Sequence, residues 1–161
     1  MDIHEYQAKE LLSGFGMRVP KGGLAYSPEQ AAYRAREIGG ERWVVKAQIH
    51  SGGRGKAGGI IECDDEGAVY EAAEGLLGTR LITSQSDPRG KLVYRIYVEE
   101  AIARQRELYV GLVLDRRSER VVVVASVHGG IEIEELSVSR PDTLIRCIVC
   151  LLYTSPSPRD S

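Results

Sequence analysis

The fold is decided by one stretch, Val44-Val-Lys-Ala-Gln-Ile-His-Ser-Gly-Gly-Arg-Gly-Lys-Ala-Gly-Gly59. Its first residues, together with Trp43, favour β-structure and place Lys46 near the end of a predicted strand. Five glycines follow between positions 50 and 59, and the chain then continues into Ile60-Ile61, a second predicted strand. This order of strand, glycine loop and strand predicts a flap that can close over a ligand.

The glycine loop has the chemistry of a polyanion site. Glycines leave backbone N–H groups uncovered, and Lys46, Arg54 and Lys56 supply positive charge, so phosphate is the expected ligand. The loop is not a Walker A motif, because Ala57 stands where that motif needs Ser or Thr. It is not a Rossmann fingerprint either, because a strand follows it instead of a helix. The alternative is a solvated hairpin loop with scattered charge.

Length and composition are those of a globular protein. A chain of 161 residues, 43% hydrophobic and 27% charged, is long enough for one core, as one domain or as part of a larger protein. A net charge of −2 and a pI near 6.0 argue against general binding of nucleic acid. A single Gly52-Gly-Arg-Gly55 is weak support for an RNA-binding box. No window of about 20 apolar residues predicts a membrane span.

The three cysteines do not form a recognisable framework. Their number is odd, and no apolar signal region precedes the first charged residue, Asp2, so the cytoplasm is the expected compartment. Cys147 and Cys150 have CxxC spacing, but they lie in an apolar run without a second pair or a nearby histidine. The spacing therefore does not predict a zinc site.

Three helices are predicted in the first half of the chain. The first starts at the capping-box-like pair Asp2 and Glu5 and ends at Gly16. Its apolar stripe is Tyr6, Leu11, Leu12 and Phe15. The start and stop signals of the other two are Ser27-Pro28-Glu29 with Gly39-Gly40, and Asp64-Asp65-Glu66 with Gly78.

Later residues favour β-structure in three runs, at 92–98, 108–115 and 121–126. A polar turn at Asp115-Arg-Arg-Ser118 predicts that the last two runs form an antiparallel hairpin, and Gly129-Gly130 is expected to end the sheet. The predicted fold class is α/β (α+β), with a mixed sheet flanked by helices and the glycine-rich phosphate flap between two strands.

Glutamates stand at the ends of two of these runs. Glu99 and Glu100 end one, and Glu107 begins the next. Carboxylates at strand ends beside a phosphate loop can accept hydrogen bonds from a ribose hydroxyl or an amino group, or approach a metal held by phosphates. The alternative for each glutamate alone is a solvated edge charge.

Six segments, in order, resemble the β subunit of succinate-CoA ligase, which has an ATP-grasp fold. They are Asp2-Ile-His-Glu-Tyr-Gln-Ala-Lys9, Val44-Val-Lys-Ala-Gln-Ile-His50, Gly52-Gly-Arg-Gly-Lys-Ala-Gly-Gly59, Tyr97-Val-Glu-Glu100, Arg106-Glu-Leu-Tyr109 and Gly129-Gly-Ile-Glu-Ile-Glu134. The resemblance covers residues 1–149, a partial ATP-grasp nucleotide-binding domain. Two further phrases, Ala25-Tyr-Ser-Pro-Glu-Gln30 and Leu112-Val-Leu-Asp-Arg116, look more like the related malate-CoA ligase β subunit.

The resemblance implies a role for individual residues. Lys46 matches a lysine that contacts nucleotide phosphate, and Gly53-Arg54-Gly55 matches the flap over the phosphates. Glu99 and Glu107 match nucleotide-contacting acids, while Ile102 falls where a backbone group meets the adenine; this last assignment comes from the resemblance alone. His50 is expected to shape the loop, because the family's phosphorylated histidine belongs to the partner α subunit. No catalytic residue is therefore expected within this chain.

The resemblance also implies a reaction. ATP phosphorylates a histidine, the phosphate passes to succinate or malate to give an acyl phosphate, and the thiol of CoA displaces the phosphate. The implied cofactors are ATP and Mg²⁺, whose protein ligands belong to the family's sequence after residue 149. The implied partner is the α subunit, in a heterodimer or heterotetramer. Lys46 and Arg54, with magnesium, would offset charge on the transferring phosphoryl group.

The end of the chain departs from the family. Residues 150–161 include Leu151-Leu-Tyr-Thr-Ser-Pro-Ser-Pro-Arg-Asp-Ser161, a Ser/Pro-rich, non-native-looking tail that is expected to be disordered. The chain is therefore expected to be an amino-terminal fragment that binds nucleotide weakly and is inactive alone. Two alternatives stay open: another ATP-grasp carboxylate ligase, of the carboxylate-amine or biotin-carboxylase type, and a non-catalytic nucleotide-binding or assembly subunit.

Overall fold

The computed structural model describes residues 3–130 and 133–149. Two sequence-based predictions lie outside these ranges: the cap at Asp2 and the tail at 150–161. The chain forms two compact units, residues 1–103 and 104–161. The predicted domain limits of 1–149 and 150–161 stay predictions.

A four-stranded antiparallel sheet is the centre of the first unit. The elements are α1 (Glu5–Gly14), β1 (Gly22–Ala25), α2 (Pro28–Ile38), β2 (Trp43–Ala47), β3 (Ile60–Cys63), α3 (Glu66–Leu76), β4 (Arg80–Leu81), β5 (Lys91–Leu92) and β6 (Ile96–Glu100). The strand order is β1-β6-β2-β3, and β4 pairs with β5 in a separate ribbon. The α/β class is confirmed. The predicted mixed sheet is wrong, because every strand pair in the described residues is antiparallel.

Helices α2 and α3 begin at the predicted caps. The Ser27 hydroxyl accepts from the Gln30 N–H at 3.2 Å, and the Asp65 carboxylate accepts from the Ala68 N–H at 2.8 Å. Both helices turn small apolar side chains inward, which lets them lie close to the sheet. The largest fully buried side chains of the first unit are Val45, Cys63, Val69, Val93, Ile96 and Val98.

We expect Ile96→Ala to destabilise this core strongly. Ile96 has no solvent exposure and lies on β6 between β1 and β2. Truncating its side chain leaves a cavity, and the free energy of unfolding should fall by about 3 kcal/mol. Urea unfolding of both proteins gives the loss directly. Ile82→Ala is the matched control, because Ile82 is 59% exposed and its truncation should cost far less. Equal losses for the two variants would contradict this description of the core.

Helix α1 begins at Glu5, and the residue at its N-cap is His4, whose N–H donates to the Gln7 side chain at 2.8 Å. The left-handed backbone of Gly16 ends it as predicted, with φ at +80°. The predicted apolar stripe is not a buried face, since none of the residues of α1 is buried and Phe15 is 86% exposed. The inward face of α1 carries the charged side chains of Glu5 and Lys9 instead.

The strand predicted at residues 92–98 is wrong in its extent. The segment divides into β5, which ends at Leu92, and β6, which begins at Ile96. Between them, the Val93 N–H donates to the Thr79 carbonyl at 2.9 Å, and the Arg95 carbonyl accepts from the Gln48 N–H at 3.1 Å. The chain therefore leaves one sheet and enters another within three residues, which a continuous run of β-favouring residues cannot reveal.

The second unit is a three-stranded antiparallel sheet with a short helix. Its elements are β7 (Tyr109–Asp115), β8 (Arg120–Ser126), α4 (Ile133–Ser139), a 3-10 turn (Pro141–Thr143) and β9 (Leu144–Val149), with the strand order β7-β8-β9. The predicted hairpin is confirmed, with Asp115 opposite Arg120 beside its turn. Strand β9 was not predicted, and because it pairs with β8, the expectation that Gly129-Gly130 ends the sheet is wrong. In the described ranges, no helix has the length and apolarity of a membrane span.

Candidate functional site

Lys46 lies at the centre of a charged cluster on one face of the first sheet. On β2 the buried side chains are those of Trp43, Val45 and Ala47, so the alternation of a strand turns Lys46 to the other face. The Lys46 ammonium donates to Glu99 at 2.9 Å and to Glu5, on helix α1, at 3.0 Å. The prediction that Lys46 lies near the end of a strand is confirmed.

Strand register brings Glu99 to this face. Glu99 on β6 lies opposite Val44 of β2, and Tyr97 lies opposite Lys46, so Glu99 is a diagonal neighbour of Lys46. Glu99 is only 5% exposed, and its two oxygens accept from Lys46 and Lys9. The carboxylate is therefore a buried, fully paired charge and not a solvated edge charge.

Arg54 folds back from the glycine loop onto the same cluster. Its guanidinium donates to the Ala47 carbonyl at 2.6 Å and to a Glu5 oxygen at 2.7 Å. Within the loop, the Gly59 N–H donates to the Arg54 carbonyl at 2.7 Å, which closes a compact turn. The loop thus connects two strands as predicted, while its closure over phosphates stays a prediction.

Two glycines of this loop have separate structural reasons. Gly53 has φ at +71°, a backbone conformation that favours glycine. At Gly59, an added Cβ would lie 2.4 Å from the Leu81 side chain and 3.2 Å from the Arg54 carbonyl, so the close approach of the chain leaves no room for it. At Gly55, an added Cβ would make an ordinary contact with the Ile60 side chain at 3.9 Å, and this glycine stays a predicted phosphate contact.

Glu5 and Lys9 complete the cluster, and sequence reasoning assigned neither of them to the site. The Lys9 ammonium lies 3.0 Å from Glu5, pairs with Glu99 and sits 5.4 Å from the centre of the Tyr97 ring. Three cations therefore share two carboxylates. The i,i+4 spacing of Glu5 and Lys9 was the available signal, since it places both side chains on one face of the helix.

The cluster holds Glu5 ionised. Burial raises the pKa of this carboxyl, but the positive charges of Lys46, Lys9 and Arg54 outweigh that effect and lower the pKa from 4.5 to about 2. Burial lowers the pKa of Lys9, and the Glu5 carboxylate opposes that change. Because α1 is attached through these ion pairs, its charged face lies inward and its apolar stripe does not.

We expect acid to weaken the fold through Glu5. Its folded pKa lies below its ordinary value, so its stabilisation is complete above pH 4.5 and is lost as the pH falls through about 2. This change in pKa is worth on the order of 3 kcal/mol. Urea unfolding should show that Glu5→Gln is less stable than the parent protein near neutral pH, with the gap shrinking towards about pH 2.

The exposed Glu10 on the same helix provides the control for this acid effect. Glu10→Gln makes the same change of charge and should leave the free energy of unfolding nearly unchanged at every pH. A gap between the parent protein and Glu5→Gln that stays constant with pH would contradict the assignment of the acid sensitivity to Glu5.

The remaining predicted residues are Ile102, Glu107 and His50. Ile102 follows β6 and its side chain is 54% exposed. Glu107 belongs to the second unit, where its side chain pairs with Arg104 and its carbonyl accepts from the Gly129 N–H at 3.0 Å. His50 stacks on His4, with 3.9 Å between the ring centres. The nucleotide contacts assigned to Ile102 and Glu107 stay predictions.

Comparisons with known proteins give consistent matches over most of this chain. Residues 2–153 match the model of the ATP-grasp domain family. The chain is 60% identical over 149 residues to a probable malate–CoA ligase subunit beta of Mesorhizobium japonicum, and 48% identical over 149 residues to the ADP-forming succinate–CoA ligase subunit beta of Wolinella succinogenes. Both alignments cover 92% of this chain, which spans 38% of the length of each relative.

A solved structure supports the same fold. It is the dinucleotide-forming acetyl-coenzyme A synthetase 1 of Ca. Korarchaeum cryptofilum, in complex with coenzyme A, acetyl-coenzyme A and a phosphorylated phosphohistidine segment. The match has a TM-score of 0.57 at 26% sequence identity, and it covers 80% of this chain and 53% of the other. These ligands belong to that protein.

Proposed function

The chain belongs to the ATP-grasp family, and from that premise we propose that its first unit binds the phosphates of ATP with Lys46 and Arg54. One observation carries the proposal. The ammonium of Lys46 and the guanidinium of Arg54 donate hydrogen bonds to the two oxygens of a single carboxylate, that of Glu5, at 3.0 and 2.7 Å. Two cations spaced to hold two oxygens of one oxyanion are spaced to hold a phosphate group as well.

The remaining residues have supporting roles in this proposal. Glu99 orients the Lys46 ammonium, and the backbone N–H groups of Gly53 and Gly55 face the phosphates. The folded glycine loop excludes water from the transferring phosphoryl group. The backbone at Ile102 meets the adenine, and Glu107 contacts the nucleotide. These last two roles rest on the family resemblance.

Magnesium enters the proposal as part of the ATP complex. Residues 3–130 and 133–149 contain no group of three His, Cys, Asp or Glu side chains arranged to hold a metal ion. Glu5 and Glu99 already accept from three cations. These two carboxylates therefore do not fit a magnesium site.

For the whole protein we propose an ADP-forming acid–CoA ligase of the cytoplasm, in which this chain is part of the β subunit. The proposal includes a partner α subunit that carries the phosphorylated histidine. Identity of 60% to a malate–CoA ligase subunit, against 48% to a succinate–CoA ligase subunit, favours malate as the acid. Lys46 and Arg54 would offset the negative charge that develops as the phosphoryl group leaves ATP.

A nucleotide titration tests the phosphate part of the proposal. We expect MgATP and MgADP to shift the backbone NMR signals of the glycine loop, and AMP to leave them in place, because AMP lacks the phosphates beyond the first. The 161-residue chain is the sample. Equal shifts from AMP and ATP, or shifts confined to other residues, would contradict the assignment.

A coupled assay tests the choice of acid. The chain is mixed with the α subunit of a malate–CoA ligase, ATP and CoA, and ADP release is followed with malate, succinate or acetate. Acetate is included because the matched solved structure is an acetyl-coenzyme A synthetase. We expect no turnover by the chain alone. Where the mixture turns over, malate should be the best acid, and a preference for acetate would favour the second candidate, a monocarboxylate–CoA ligase.

A further inference from the structure

A small cavity lies on the first unit beside the N-terminus of α1. Its volume is about 270 Å³, and its polar lining includes His4, Gln48, His50, Lys91, Tyr94 and Arg95. No Asp or Glu is among its lining residues. Its size falls below the roughly 300 Å³ at which pockets for drug-sized ligands begin, so a ligand that fills it is small.

The charge around this cavity differs from that of the Lys46 cluster. Lys46, Arg54 and Lys9 are offset by Glu5 and Glu99. Lys91 and Arg95, by contrast, form no ion pair with a carboxylate among the residues that the structure describes. Arg95 lies over the ring of Tyr26, 6.0 Å from its centre, an arrangement that leaves the edge of its guanidinium able to donate.

Asp87 is an acid that does not line the cavity but interacts with the charge of Lys91. Asp87 lies in the turn before β5, where its carboxylate is held by Arg89 at 3.1 Å. Hydrogen bonds from Arg89 lower the pKa of Asp87, and the positive charge of Lys91 lowers it further. The cavity is therefore lined by donors and left without an anion of its own.

The stacked histidines supply a second observation. The rings of His4 and His50 lie 3.9 Å apart with 24° between their planes. Burial lowers the pKa of His4, and the positive charges of His50, Arg95 and Arg54 lower it further. The cavity is thus lined by four groups that are cationic or can become so: His4, His50, Lys91 and Arg95. An anion placed there would offset their repulsion.

We propose that this cavity is a second anion site, which binds one small oxyanion, a phosphate group or a small dicarboxylate, separately from the Lys46 cluster. Arg95 and Lys91 provide the charge, and the imidazoles of His4 and His50 and the Gln48 amide provide further donors. The inference stands apart from the proposed function, because it requires no nucleotide and uses neither Lys46 nor Glu99.

Histidine NMR tests the proposal on the whole chain. Sodium phosphate and sodium malonate are titrated in separate experiments, with sodium chloride holding the ionic strength constant. We expect saturable shifts of the ring protons of His4 and His50, and a higher pKa for His4 in the bound state. His128, the third histidine, lies in the second unit and reports general effects of the anion. Phosphate alone, malonate alone or both can saturate the site, which identifies the source of the oxyanion.

Three variants separate this site from the alternatives. Combining Lys91→Gln with Arg95→Gln should weaken binding of the anion by about tenfold or more, because two charged donors are lost. Arg116→Gln with Arg117→Gln removes the same charge from an exposed turn of the second unit and should change nothing. Arg54→Gln should also keep the saturable response.

Two results would overturn the second site. The first is a response that survives Lys91→Gln with Arg95→Gln but disappears in Arg54→Gln, since the anion would then bind at the Lys46 cluster. The second is a non-saturable drift of all three histidines, which would reduce the effect to general ionic attraction.

Discussion

Replacing both Lys46 and Arg54 by glutamine is expected to weaken ATP binding by about a thousandfold, because each lost charge-assisted hydrogen bond costs roughly 1.5 to 3 kcal/mol. Arg54→Gln alone should cost about thirtyfold by the same reasoning. Isothermal titration with MgATP measures both losses. The single variant is informative because Lys46 also compensates the buried charge of Glu99, so its loss disturbs the fold as well. Arg54→Gln avoids this problem, because Glu5 stays paired with Lys46 and Lys9.

A matched pair of arginines controls for net charge. Arg36 pairs with Glu66 at 2.6 Å, and Arg42 pairs with Asp64 at 2.8 Å, both on the exposed surface of the first unit. Arg36→Gln with Arg42→Gln therefore removes two paired positive charges away from the site, and ATP affinity should change by less than about twofold. If Arg54→Gln folds normally and binds ATP as the parent protein does, the loop does not hold the phosphates.

Glu5→Gln should act in the opposite direction and strengthen ATP binding by about tenfold. The Glu5 carboxylate occupies the donors of Lys46 and Arg54, so a phosphate group must displace it. The glutamine has the same shape without the charge, and three cations then face only Glu99. The gain in affinity accompanies the loss of stability predicted above pH 4.5.

Titration of Glu5→Gln and Glu10→Gln with MgATP separates competition from positioning. Glu10 is exposed on the same helix, so its variant controls for the change in helix charge. A weaker affinity in Glu5→Gln, similar to that of Arg54→Gln, would mean that Glu5 positions the two cations for ATP. An unchanged affinity would mean that ATP does not use the donors that Glu5 holds.

Local chemistry was sufficient to predict much of the site. A strand end followed by glycines placed Lys46 and Arg54 near each other, and the end of another β-favouring run nominated Glu99. These predictions depend on neighbours in sequence and on residue type, which a single chain displays directly. The helix caps at Ser27 and Asp65 were predictable for the same reason.

The rest depends on contacts between distant residues. Glu5 contacts Lys46 and Arg54, which are more than forty positions away in the sequence. A local sequence pattern cannot predict such a contact. The apolar stripe of α1 suggested the wrong inward face, because ion pairs attach this helix and hydrophobic burial does not. The division of residues 92–98 into two strands was unpredictable for the same reason, since the backbone partners of Val93 and Arg95 are the distant residues Thr79 and Gln48.

The most direct measurement is the ¹⁵N signal of the Lys46 ammonium and the Arg54 guanidinium during titration of the chain with MgATP. If these two groups hold the phosphates, both signals move and saturate together, at the affinity found by calorimetry, as they exchange the Glu5 carboxylate for phosphate oxygens. Saturated binding with both signals unmoved would place the nucleotide elsewhere and contradict the account.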